Sequence, residues 1–160
     1  MQRAWIISFT LLTAGVFSPA PCRAAQDPAA AVTAAVQKVF DAMAAKDSDT
    51  LVKAFIPDAR LVSIQPDGRM SSTAAADWNA RIGSIPETLL ERMWSPKVMV
   101  DGRMATLWAP YDFHRAGKFS HCGVDSVTLV QVDGEWKLAS IAYTVKREGC
   151  EPSPLGPPKQ

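Results

Sequence analysis

Histidine is scarce in this chain: of 160 residues only His114 and His121 are histidines, and they form no His-x-x-x-His pair. Cysteine numbers three, with no paired short spacing, so none of the usual zinc frameworks is spelled out. No metal is therefore implied. Gly-x-Ser-x-Gly, the phosphate loop and the dinucleotide fingerprint are also missing, which removes the common nucleophile elbow and nucleotide cradles, and no cofactor is implied. Neither sign of charge dominates, with 17 Lys and Arg against 16 Asp and Glu, so nothing electrostatic points to nucleic acid or an anionic membrane as partner. No apolar run reaches the ~20 residues that a membrane-spanning helix needs. No internal repeat is visible.

What is present is an ordinary globular composition, 48% hydrophobic and 21% charged, in a length that suits one domain with one core. The first residues read as a secretory signal peptide over residues 1–24. Arg3 supplies the positive start, Trp5 to Phe17 the apolar stretch, and Ser18-Pro19-Ala20-Pro21 the breaker before Cys22-Arg23-Ala24-Ala25. Small residues at the positions before a cut favour cleavage after Ala24, and Pro19-Ala20-Pro21 lacks the pattern of a lipid-attachment site at Cys22. The other reading is an uncleaved anchor, for which the apolar stretch is short. Export predicts a periplasmic or secreted protein with no membrane contact after cleavage.

Removal of the leader leaves 15 basic and 16 acidic residues and two cysteines, Cys122 and Cys150, in a compartment that permits disulfides. A bridge would close a loop of about 29 residues and contribute on the order of 3 to 4 kcal/mol in the chain-entropy picture. Two free thiols are the alternative.

Asp27-Pro28 is a helix start, and Ala29 to Ala45 then places Val32, Val36, Val39, Phe40 and Met43 at helical spacing. Asp47-Ser48-Asp49 caps a short second helix that Pro57 stops. Leu61 to Ile64 reads as a strand ended by Pro66-Asp67-Gly68, and Ser71-Ser72-Thr73 as the cap of a third helix running to about Ile82. After Pro86, four β-rich segments follow: Leu90 to Val100, Met104 to His114, Lys118 to Val132 and Glu135 to Lys146. Their separators are Asp101-Gly102, Ala116-Gly117 and Asp133-Gly134. Helices first and a meander last predict an α+β fold, with the domain over residues 28–150 and a disordered proline-rich tail over 151–160.

The order of helix, short helix with Phe55-Ile56-Pro57-Asp58-Ala59, strand, third helix and long antiparallel strands resembles the nuclear transport factor 2-like superfamily. That superfamily includes isomerases, dehydratases and polyketide-cyclase-like proteins. Within it, Gly117-Lys118-Phe119-Ser120-His121-Cys122-Gly123-Val124-Asp125 and Val132-Asp133-Gly134-Glu135-Trp136-Lys137-Leu138 are similar to the putative lumazine-binding family. The resemblance implies a cone in which three N-terminal helices close a strongly curved antiparallel sheet around a cavity. It also implies a homodimer, and it carries no lumazine over to this chain.

Two-residue turns at Ala116-Gly117 and Asp133-Gly134 would pair Asp112 with His121, Trp108 with Asp125, Asp125 with Ala142, Val127 with Ser140 and Leu129 with Leu138. One face then presents Trp108, Asp112, His121, Asp125, Ser140 and Leu138, unless a slip or β-bulge moves part of the set. The alternative face would bring Lys137, Tyr143 and Val145 inside, which is costly for the lysine. A His121–Asp125 neighbourhood, with Asp112 orienting it, suits a general base or proton relay; it suits a purely structural pair equally. Trp78, Trp94 and Trp108 are candidates for the cavity lining or for the core. His114 is expected to be exposed beside its turn. Three functions follow from this sequence, the third of them an interaction module whose open sheet face forms a dimer or holds a partner. The first is an exported protein that binds a small apolar or aromatic molecule without catalysis. The second is an isomerase, dehydratase or cyclase using His121, Asp125 and Asp112.

Overall fold

The computed structural model describes residues 27–158, so the signal peptide over 1–24 lies outside the described residues. Helix α1 (Pro28–Ala45) starts as its sequence demands: Asp27 accepts a hydrogen bond from the Ala29 amide at 3.0 Å, proline opens the first turn, and Val32, Val36, Val39, Phe40 and Met43 are buried on one face. It ends at Lys46, in a left-handed conformation with φ 55°. Helix α2 (Ser48–Ala54) is capped by Asp47, whose carboxylate accepts from both the amide and the hydroxyl of Thr50.

The chain then enters β1 (Phe55–Ile64), turns at Pro66-Asp67-Gly68 and returns as β2 (Met70–Ala74). This corrects the reading of Ser71 to Thr73 as a helix cap. The turn folds the segment back onto β1 as a hairpin, with the hydroxyls of Ser63 and Ser71 at 2.7 Å, and α3 (Ala75–Ser84) begins afterwards without a side-chain cap. The expected strand Leu90 to Val100 is two strands, β3 (Leu89–Met93) and β4 (Lys97–Asp101), both paired with β5 (Met104–Arg115). Between them Ser95 sits at φ 46° and Pro96 has no amide hydrogen to donate. The meander continues as β6 (Lys118–Val132) and β7 (Glu135–Thr144).

These strands form one curved sheet in the order β2-β1-β7-β6-β5-β3, with β4 also on β5. The fold class is α+β as expected, but the sheet is mixed, because β1 runs parallel to β7, Arg60 opposite Ser140 and Ile64 opposite Thr144. The helices cover one face and enclose the core, in which Leu107, Ala109, Val127, Leu129 and Leu138 from the sheet meet Val36, Val39 and Phe40 from α1. The tail, read from sequence as disordered, is described to Pro158 and runs against the opposite, outer face, where the Arg92 guanidinium donates to the Gly156 carbonyl at 2.9 Å.

Both hairpins begin in the anticipated register and then lose it. Arg115 faces Lys118 and His114 faces Phe119, yet Phe113 faces His121, so Ser120 is an extra residue in β6. Likewise Leu129 faces Leu138 but Thr128 faces Ser140, leaving Ala139 as the extra residue in β7. Beyond each bulge every pairing moves by one residue, and a one-residue move exchanges the faces. Asp112 thus opposes Cys122 and Trp108 opposes Ser126, while Asp125 opposes Ala109 on one side and Tyr143 on the other. Asp112 and Trp108 are on the outer face, and His121 and Asp125 on the helix-covered face.

The His121-Cys122-Gly123 segment has a separate physical task at each residue. Cys122 is bridged to Cys150, with Cα atoms 6.1 Å apart. Gly123 lies so close to β7 that an added Cβ would sit 1.9 Å from the Thr144 carbonyl oxygen. That oxygen accepts a hydrogen bond from the hydroxyl of Tyr111, the residue directly opposite Gly123, at 2.8 Å. We predict that Gly123→Ala lowers unfolding free energy by about 2 kcal/mol or more in urea titrations, because the backbone itself must give way. Cys150→Ser is expected to cost about 3 kcal/mol, and thiol titration of the unfolded, unreduced chain lacking residues 1–24 should find no free thiol.

Candidate functional site

A cavity of about 360 Å³ lies between α1, α3 and the covered face of the sheet. Val39, Phe40 and Met43 from α1 and Trp78 and Ile82 from α3 form its apolar side, an assignment that follows from the helical spacing of those residues. Polar groups enter from the strands: Glu91 from β3, Tyr111 from β5, His121 and Asp125 from β6, and Tyr143 from β7. Arg81 and Arg115 also reach the lining, Arg115 with its guanidinium 3.1 Å from Glu87.

Asp125 is 2% exposed and its Oδ2 has no hydrogen-bond partner among the described residues. Glu91, part-exposed as a residue, lines the same cavity as Asp125, and each carboxyl acts on the titration of the other. Two carboxyls hydrogen bond only if one of them holds a proton. Burial is the main reason both titrate above the usual carboxylate range, with the Asp125 charge the next cause for Glu91, and Asp125 is pushed up to about 7. Tyr111 and Tyr143 stay protonated, their hydroxyl pKa values raised first by burial and then by the Glu91 charge. The Tyr111 hydroxyl is committed to the Thr144 carbonyl.

His121 behaves differently from the expected base with a carboxylate beside it. Its Nδ1 is 3.1 Å from the Ser120 hydroxyl, and its ring stacks obliquely on Phe113 with centroids 4.9 Å apart. Burial, helped by the Arg147 charge, pushes its pKa down to about 4, so it is a neutral imidazole at neutral pH.

Of the residues expected on one face, the structure brings His121 and Asp125 to the cavity together with Trp78, which packs edge-on against Phe55 at 6.1 Å. It does not bring the others. Asp112 is on the outer face, gripped by the Arg92 guanidinium through bonds of 2.9 and 2.5 Å, with His114 Nε2 at 3.5 Å. Burial alone would raise its pKa, but the bonds and charge of Arg92, with His114, outweigh it and hold the carboxyl below the usual value. His114, expected to be exposed, is buried against Phe119 beside this pair. Trp108 is 52% exposed on the outer face, and Ser140 faces outward between Thr128 and Arg60. Leu138 is core, and Trp94 borders the break between β3 and β4, away from the cavity lining.

Sequence reasoning missed Glu91. Its signal was available: Leu89 and Met93, which share a face of β3 with Glu91, are both apolar. Tyr143, set aside with the alternative face, also belongs to the site, because the Ala139 bulge turns it inward.

A family model described as putative lumazine-binding matches residues 27–144, more than half of the chain. No curated protein matches. Among solved structures, a nuclear transport factor 2-like protein of unknown function from Silicibacter pomeroyi is 25% identical. It superposes with a TM-score of 0.57 over 73% of this chain and 94% of that one. A nuclear transport factor 2-like protein from Cytophaga hutchinsonii is 13% identical, with a TM-score of 0.63 over 76% and 100%. A putative dehydratase of the same fold family from Streptomyces avermitilis is 15% identical, with a TM-score of 0.60 over 74% and 95%.

Asp125 has an unfolded-state pKa near 3.8 and a folded one of about 7, so between these values the folded state holds the extra proton and stability falls as pH rises. His121 acts in the opposite sense, since its folded value of about 4 lies under 6.5 and its contribution is lost as pH falls. Glu91→Gln removes only the carboxyl pair. We predict that the melting temperature of this variant exceeds wild type by about 3 °C or more near pH 8, with the gap shrinking towards pH 5. A gap that is constant or widens towards acid would rule out the shared-proton pair.

Proposed function

Because the chain belongs to the putative lumazine-binding family and has the nuclear transport factor 2-like fold, we propose that it is an exported protein that holds a small apolar or aromatic molecule in its cavity. The cavity itself carries this reading: about 360 Å³ of space with apolar helix side chains on one side and polar strand side chains on the other, the arrangement that buries a ligand's body and orients its polar end. Export is supported by the leader and by the Cys122–Cys150 bridge, which an oxidising compartment preserves. The homodimer that the resemblance implies would use the outer sheet face, where Trp108 and Met104 are exposed.

A second reading, proton-transfer catalysis, is favoured by the Glu91–Asp125 pair. Two carboxyls sharing one proton offer an acid and a base in a desolvated site. Asp112 leaves this set, since Arg92 holds it on the outer face. The neutral His121 becomes a hydrogen-bonding wall residue in either reading.

A thermal-shift screen of small aromatic and alicyclic compounds should find ligands that stabilise the protein, by about 2.7 kcal/mol at a hundredfold excess over Kd. Trp78→Ala should weaken the hits roughly tenfold by removing part of the apolar wall. The binding reading expects the hits to be recovered unchanged by NMR. Turnover that vanishes in Asp125→Asn would replace it with the enzyme reading.

A further inference from the structure

Resting on the reading of the cavity as a ligand site, we infer that its ligand carries a cationic nitrogen, a protonated amine or amidine on a small apolar or aromatic body, received between Glu91 and Asp125. Among the described residues, the carboxyls of Asp112, Glu91 and Asp125 are treated unequally. Asp112 has a guanidinium in bidentate contact. Glu91 and Asp125, among the described residues, have no Lys, Arg or His nitrogen within 4.0 Å, although Asp125 is buried at least as deeply as Asp112. Buried carboxylates without a counter-charge are unfavourable and are relieved by a proton or by a cation.

A further sign of a missing partner is the Oδ2 of Asp125, a buried acceptor of a cavity-lining residue to which no donor among the described residues is bonded. The groups that face the pair leave the vacancy to a ligand. From β5 come Tyr111, whose proton is committed to Thr144, and Arg115, whose guanidinium is held by Glu87, while Asp112 adds a further negative charge from the outer face. β7 supplies Tyr143 and β6 the neutral His121. Arg81 of α3 and the more distant Arg147 act on the tyrosines and His121 without reaching the carboxyls, and α1 contributes only Val39, Phe40 and Met43. Among the described residues no three metal-ligating side chains converge, so two carboxyls alone suit an organic cation better than a metal ion. Tyr111 and Tyr143, edge to face with centroids 6.4 Å apart, add ring faces that attract a cation. In the empty cavity the pair keeps its shared proton; the cation takes the proton's place, and the proton leaves to solvent.

The test compares isosteric probes on the full-length exported protein by calorimetry: benzamidine against benzamide, and benzylamine against benzyl alcohol. The cation of each pair should bind at least about tenfold more tightly near pH 7.5, release close to one proton per site when measured in buffers of different ionisation heat, and weaken by about threefold or more at pH 5.5. The double variant Glu91→Gln/Asp125→Asn, which leaves no carboxyl at the pair, should bring the ratio within about threefold of unity. Trp78→Ala should weaken both members of each pair alike, as sharing the cavity requires. Neutral probes that bind as well as the cations overturn the inference while the cavity reading stands, and so does a cation preference that survives the double substitution. Silence from all four probes overturns both.

Discussion

Between Phe113 and His114, strand β5 meets a partner with one residue more than itself, and that extra residue, Ser120, sets the inside and the outside of the sheet. A strand alternates its side chains with period two, so one inserted residue sends everything beyond it to the other face. His121 and Asp125 go under the helices, and Cys122 goes outward to reach Cys150. The second bulge at Ala139 does the same for β7 and turns Tyr143 and Ile141 towards the cavity. The space that the helices enclose is therefore furnished by residues that an unbroken ladder would have left in solvent.

Gly123 makes this geometry possible. The bent strand brings its backbone against Thr144, where no side chain fits, and Tyr111, opposite the glycine, donates to the same carbonyl. The disulfide holds the next turn of chain on the outer face, and Arg92 ties the tail to it. Packing, bridge and hydrogen bond converge on one short stretch of β6, which accounts physically for the His-Cys-Gly sequence there.

The charges divide along the same line. On the outer face Asp112 is neutralised by Arg92 and kept ionised. Within the cavity Glu91 and Asp125 have only each other, and burial drives them to share a proton. A fold under selection for stability alone tends to pair buried carboxylates or replace them with apolar groups. An unpaired set lining an open cavity is the ordinary sign of a site whose chemistry is completed by something that binds.

Local rules were legible in the sequence because they act over a few residues: the Asp27-Pro28 and Asp47 helix starts, the apolar stripe of α1, and the turns at Ala116-Gly117 and Asp133-Gly134 with their positive φ angles. Class α+β and the family likeness followed from the order of those elements. The parallel pairing of β1 with β7 joins segments about eighty residues apart and has no local signature. The bulges were equally silent, since Ser120 and Ala139 are unremarkable residues that only packing against neighbouring strands displaces. Which residues exist to furnish a site was thus determined by the chain itself. That Asp125 should meet Glu91 instead of His121, and that Asp112 should lie outside with Arg92, was decided by tertiary structure alone, because a strand's facing is a property of its register and register is set by contacts across the sheet.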